Sequence, residues 1–295
     1  MPKHDRIIKF KERYDTERSE TKDPKVLVRT AILIFVLCVG LRIVDVFLIR
    51  SDEWFGELVL SKVLGIAIVI AYAIWSGYGL DRIGFRKTSI TSVIWISFGL
   101  TAAVMATTFL VQFLFLRAQG ANPLFSMHIQ GFTLAQQAAG QNGLLSSTSL
   151  VAFNLVNATM EESLFRGLLL THLAVIMSRM RANVFQSVLF GFWHIVWPLR
   201  AIYDGKMTLG AAMSFGAGYI FVATMMGFVW GCFFIWFRSL WVSILAHALQ
   251  NAALNVFHIT TAAGASGMAL FTTLEVFVFL ALLPLVRWLS KRWRS

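Results

Sequence analysis

Apolar positions along the chain come in long continuous runs rather than in strict alternation, and most charged residues gather between the runs. Windows of about 19 residues mark eight such runs, at 27–49, 58–76, 91–116, 148–177, 183–199, 209–237, 240–257 and 268–287. Charge-free stretches of 18 or more residues recur, roughly the length that crosses a hydrocarbon core as a helix. A barrel strand would alternate apolar and polar residues, whereas a continuous run satisfies its backbone in lipid only as a helix. The pattern predicts an all-α polytopic membrane protein, with about eight transmembrane helices enclosing an intramembrane polar cavity.

The connections sort by charge. Lys3, Lys9, Lys11, Lys22 and Lys25 place the N-terminal segment inside, and Asp52, Glu53 and Glu57 place the next connection outside. Asp81 to Lys87, Arg179 with Arg181, Arg238, and the tail Lys291–Arg294 then fall inside. The stretch 118–147 has no charged residue and suits a translocated cap, Arg200, Asp204 and Lys206 form a mixed outer loop, and 258–267 is an uncharged one. Eight crossings with both termini cytoplasmic satisfy the positive-inside rule. Residues 1–25 read as a retained charged segment lying on the membrane, and 26–295 as one membrane domain with its catalytic core at 148–257. The expected location is the plasma membrane of a prokaryote.

Composition sharpens this picture. Charged residues make up 14% and hydrophobic ones 57%, against about a quarter charged in a soluble domain. The formal net charge of +11 does not indicate nucleic acid, because no basic stripe is interleaved with aromatics outside the apolar runs. Anionic lipid headgroups are the better partner. Cys38 and Cys232 lie inside apolar runs without a C-x-x-C pair, so they read as packing residues rather than a disulfide or zinc site.

Ionisable residues at membrane depth are costly, and each marks a candidate site. Glu161 and Glu162 are adjacent in the fourth run. Arg166, four residues on, can pair with Glu162 on one helix face, while Glu161 lies about 100° around the axis. Glu161 is therefore expected to be the carboxylate left available, on a stripe continued by Asn157 and Asn154. His194 lies in the fifth run and His247 with Asn251, one turn apart, in the seventh. Each feature alone also fits a buried packing network or an interhelical hydrogen bond. Arg42 and Asp45, three apart, read as a structural pair. His172 and His258 near helix ends, and His4 and His128 outside the runs, show no chemical partner.

Taken together, a buried carboxylate, two imidazoles and a carboxamide form a set suited to water-mediated acyl hydrolysis: a base, a positioning group and donors for an oxyanion. The order Glu-Glu-x-x-x-Arg (Glu161, Glu162, Arg166), Phe-x-x-x-His (Phe190, His194) and His-x-x-x-Asn (His247, Asn251) resembles the three motifs of the CPBP family. That family covers the type II CAAX prenyl endopeptidases and the bacteriocin-processing and self-immunity membrane proteins. The resemblance spans about 148–257. It implies an intramembrane glutamate-dependent endopeptidase acting on a peptide precursor or membrane-associated protein. In that role Glu161 activates water, His194 helps hold it, His247 and Asn251 form an oxyanion hole, and Glu162 with Arg166 hold the site together.

Other chemistries fit less well. No H-E-x-x-H is present and Asn251 is a poor metal ligand, which leaves room for a weak divalent ion but no tight zinc site. Gly264-Ala265-Ser266-Gly267 spells a rhomboid-like string without a later histidine, and Gly77-Tyr78-Gly79-Leu80-Asp81 misses the aspartyl-protease pattern by one residue. A non-catalytic immunity or scaffold protein, or a small transporter, using the same polar cavity is the alternative.

Overall fold

The computed structural model describes residues 23–55, 58–127, 144–261 and 268–293. The N-terminal segment 1–22, His4, His128 and the string 264–267 lie outside them. Helix α1 (Pro24–Val44) continues as a π-helical stretch, Asp45–Ile49, followed by α2 (Ser51–Phe55), α3 (Leu60–Trp75) and α4 (Ile90–Ala118). Strand β1 (Leu124–Met127) precedes α5 (Leu144–Glu162), a second π-helical stretch (Ser163–Leu170) and the turn α6 (Thr171–Leu173). Then come α7 (Arg179–Trp193), α8 (Val196–Tyr203), α9 (Leu209–Phe237), α10 (Leu240–Val256), β2 (Phe257–Thr260) and α11 (Met268–Trp293).

All eight apolar runs thus fall on helices, and several starts are written in the sequence. The Asp23 side chain accepts the Lys25 N–H with Pro24 in the first turn, and Ser89, Ser178 and Thr208 cap α4, α7 and α9 in the same way. Among the described residues, four helices are long and apolar enough to cross a membrane: 24–49, 90–118, 209–237 and 269–293. Large apolar side chains such as Leu33, Trp75, Ile90 and Trp95 point outward at 69%, 86%, 76% and 70% exposure. A water-soluble chain would bury many of these, so the exposed belt suits lipid. The protein is built as an integral membrane protein.

One run departs from expectation. The stretch 183–199 is not one helix: α7 ends at Trp193, His194 caps it, and α8 begins at Val196. Pro198 explains the break. In a continuous helix it would lack the N–H owed to the His194 carbonyl and its ring would strike that carbonyl; in the first turn of α8 neither problem arises. The chain also forms a short antiparallel ribbon that the apolar pattern does not suggest. Leu124–Met127 pairs with Phe257–Thr260, Ser126 opposite His258, so His258 is a buried strand residue rather than a helix-end one.

Helix α9 runs between two apolar cores, one around Phe165, Phe190 and Trp193, the other around Trp230, Phe233 and Phe279. Small residues let α7 approach it. A Cβ on Gly191 would meet the Ile220 carbonyl oxygen at 2.7 Å and collide with the Thr224 hydroxyl, and one on Gly227 would meet Ser187 Cα at 3.2 Å. Such close approach is how helices associate in lipid, where apolar burial gives no drive.

At the end of the bundle near residue 50, ion pairs clasp α1 and α2 to α8. Arg200, placed by the charge pattern in a loop, is a buried residue of α8 that donates to the Val46 carbonyl, to Glu53 at 2.7 Å and to Asp204 at 2.6 Å. Arg50, with a left-handed φ of 60°, bonds Asp204 at 2.8 Å and Glu53 at 3.2 Å. Partial burial pushes the Asp204 carboxyl up, but the Arg200 hydrogen bond and the charges of Arg200 and Arg50 outweigh it and hold it below the ordinary carboxylate range. A carboxyl depressed by folding stabilises the native state above its unfolded value, near pH 4, and loses that contribution as pH falls through the folded value. Burial raises the Asp52 carboxyl instead, giving the opposite slope, so the difference between two chains is the informative measurement. In detergent, wild type should melt above Asp204→Asn at pH 7 by the equivalent of about 1 kcal/mol at most. The two melting curves should converge below about pH 4.

Candidate functional site

Glu161 and Glu162 end the regular part of α5, where the helix widens into i→i+5 bonding over Ser163–Leu170. Wide turns of this kind occur often at functional sites. Glu162 is wholly buried. Arg166 Nη1 lies 3.1 Å from its Oε1, and His247 Nδ1 lies 2.8 Å from the same oxygen. The Arg166 guanidinium also donates to the Gly227 carbonyl of α9 at 3.1 Å and stacks 4.4 Å from the Phe190 ring centroid. Three helices are thereby tied to one carboxylate.

Glu161, expected to be unneutralised, is not. Lys62 Nζ, from α3, lies 3.0 Å from its Oε1, and Arg42 Nη1, from α1, lies 3.7 Å from it. The Trp193 indole donates to the same oxygen at 3.1 Å, and Arg42 sits 4.4 Å above the Trp193 ring. The sequence reading missed Lys62 and Trp193. Lys62 was visible as a lone cation inside an apolar run, whereas nothing in the spacing distinguished Trp193 from its aromatic neighbours. Arg42, read as a structural partner of Asp45, reaches the site, while Asp45 accepts the Ser61 N–H at 2.7 Å. Desolvating a lone carboxylate costs more than a helix bundle tolerates, so cations from α1 and α3 accompany it.

The two oxygens of Glu161 have different surroundings. Oε1 holds Lys62 and Trp193, whereas Oε2 faces His247 Nε2 across 3.9 Å. That ring is fixed by Glu162 on its Nδ1 side and by Trp230, stacked with centroids 5.8 Å apart and planes 16° apart. With Nδ1–H on Glu162, the neutral ring presents a lone pair at Nε2, and only the imidazolium presents a second donor there. His194, at the α7 C-cap, is half-buried, its Nδ1 2.8 Å from the Phe190 carbonyl. That bond directs the other ring nitrogen away from the helix, and His194 interacts electrostatically with Glu161. The Phe190 ring packs near both imidazoles, its centroid 4.9 Å from that of His194 and 6.2 Å from that of His247. Asn251 stands one turn beyond His247, buried but outside this bonded cluster. Asn157 and Asn154 are buried on the Glu161 helix, and Asn154 accepts from Asn255 at 3.5 Å. Glu161, Glu162, Arg166 and His247 are thus brought together, with His194 and Asn251 at the margins.

His172, for which the sequence suggested no partner, is bonded on both sides: Tyr72 Oη lies 2.7 Å from Nε2 and the Leu168 carbonyl 2.8 Å from Nδ1. It belongs to a separate aromatic cluster with Tyr78. Among the described residues no three His, Cys, Asp or Glu side chains group as a metal site.

Residues 144–253 match the family model described as Type II CAAX prenyl endopeptidase Rce1-like. This segment belongs to the CPBP/CAAX protease family. It contains all three motifs, from Glu161 to Asn251, and ends within α10. No curated protein and no solved structure matches the chain. Lys62 and Arg42, which hold the carboxylate of the CAAX-protease segment, come from helices outside it.

Proposed function

We propose that this protein is an intramembrane endopeptidase in which Glu161 activates a water molecule against a peptide carbonyl. The observation that carries the reading is a buried carboxylate oxygen facing an imidazole nitrogen from another helix at 3.9 Å, inside a CAAX-protease segment. A gap of that size is too long for a direct hydrogen bond and leaves Oε2 directed at a reactant. Glu161 takes a proton from water as the oxygen adds to the carbonyl carbon. His247, held in place by Glu162, and the Asn251 carboxamide stabilise the resulting oxyanion. As the C–N bond breaks, the proton on Glu161 passes to the leaving amine. His194 orients the water. Peptides or proteins presented from the membrane, including prenylated C-terminal ones, are the substrates this chemistry fits.

One observation favours a non-catalytic polar cluster: Lys62 lies directly on Glu161. The readings separate on His247→Ala, assayed with an internally quenched farnesylated peptide ending in a CAAX sequence and by comparing membrane peptidomes of cells. Loss of an oxyanion donor lowers kcat by roughly 100- to 1,000-fold. Absence of cleavage by wild type, with biological activity retained in His247→Ala and His194→Ala variants that still fold, leaves only the non-catalytic reading. Cleavage unaffected by both substitutions overturns the roles given to the two histidines.

A further inference from the structure

Lys62 Nζ lies within hydrogen-bonding reach of Glu161, at 3.0 Å, and Lys62 lies in α3, outside the family segment. Its side chain is 3% exposed, as is that of Glu161. An ion pair so deeply buried gains little stability over apolar packing, so its worth has to be sought in geometry. Lys62 Nζ and Trp193 Nε1 both bond Oε1, approaching from α3 and α7 at 3.0 and 3.1 Å. A carboxylate held by two donors on one oxygen cannot rotate about its terminal bond without breaking both. Its other oxygen is then fixed, and that is the oxygen facing His247 Nε2. Arg42 stands further off, at 3.7 Å, with its guanidinium over the Trp193 ring. It supports the clamp by fixing the indole.

We infer that Lys62 is a positioning residue for the hydrolysis proposed above: with Trp193 it clamps one oxygen of Glu161 and thereby aims the other at the reacting water. The inference rests on that reading of the site. It makes the catalytic base a joint product of the family segment, which supplies Glu161 and Trp193, and of α3, which supplies the cation. Lys62 touches neither substrate nor the reacting oxygen, so its removal affects turnover rather than substrate binding.

The test uses the full chain purified in detergent and the quenched farnesylated CAAX peptide. Because misplacement by about 1 Å costs on the order of 100-fold, Lys62→Met is expected to lower kcat about 10- to 100-fold with KM held within about threefold. Lys62→Arg, which keeps a donor and a charge, restores most of the rate. Glu161→Gln leaves no rate to read, so on that background the pairing is measured by stability. A melting cycle of the two single variants and the double variant measures the pairing without substrate, and should show the double variant more stable than the sum of the single losses. If wild type cleaves and Lys62→Met cleaves as fast, or if KM rises while kcat holds, the positioning role is overturned and the peptidase reading stands. If wild type cleaves neither the probe nor any membrane peptide, the peptidase reading falls and the positioning role with it, even where the melting cycle shows coupling.

Discussion

Glu161→Gln is expected to stop cleavage and to lower thermal stability in the same variant. The rate loss follows from removing a general base, worth about 100- to 10,000-fold. The stability loss follows from the neighbours. Lys62 at 3.0 Å and Arg42 at 3.7 Å are both buried and both face this carboxylate. Glutamine keeps an oxygen for Lys62 and Trp193 but no charge, leaving cations in a medium of low dielectric. Removing one partner of a buried pair costs roughly 3–5 kcal/mol, and the retained hydrogen bonds place this variant near the lower end of that range. From the sequence, with Arg166 assigned to Glu162, Glu161 looked unpaired and its neutralisation looked harmless to the fold. The two views differ in one measurement, the detergent melting temperature of Glu161→Gln against wild type. An unchanged midpoint would remove the ion pair from the account of the site. The double variant with Lys62→Met should recover stability while staying inactive, which separates folding from chemistry.

Arg166→Ala is expected to be the most damaging single change to stability. Its guanidinium is wholly buried and meets Glu162 at 3.1 Å, the Gly227 carbonyl at 3.1 Å and the Phe190 ring at 4.4 Å. Alanine leaves Glu162 charged with only His247 beside it, the Gly227 carbonyl with Gln186 as its remaining side-chain donor, and a void against Phe190. The orphaned charge alone is worth about 3–5 kcal/mol, and the void adds to it. Lysine should rescue poorly, because one ammonium cannot reproduce the planar fork that reaches two acceptors and an aromatic face. Folded yield after extraction and the melting midpoint of the residue read the effect. Arg166→Leu combined with Glu162→Gln should be milder than Arg166→Ala. Near-normal stability of Arg166→Ala would mean that Glu162 does not depend on it.

The helices were legible because their apolar runs exceed the length that needs interpretation, and caps such as Asp23, Ser178 and Thr208 write their starts. The motif residues were legible because ionisable groups are rare in such runs. What escaped was set by contacts between distant parts of the chain. Lys62 and Glu161 are 99 residues apart, Arg200 and Val46 154 apart. Spacing says nothing of such pairs until the bundle closes. Lys62 itself could have been flagged by the rule that singled out Glu161, since a single cation hardly alters the mean hydropathy of its window. Glu275, wholly buried in α11, escaped for the same reason. The break at His194 was also readable, since Pro198 stands four residues on. The ribbon of β1 with β2 was not, because each strand is only four residues long.

The wide turn over Ser163–Leu170 has a consequence for how the chain tolerates length changes. It lies between the carboxylate pair and His172, which is locked to Tyr72. A turn bonded i→i+5 takes up about one residue more than one bonded i→i+4, so deleting one residue there would return the backbone to ordinary α geometry with its two ends still roughly in phase. The acids would keep Lys62 and Arg166, and the imidazole its tyrosine. Deleting a second would swing one end by roughly 100° against the other and pull one of those pairs apart. The stretch carries a spare residue; the helix on either side of it carries none.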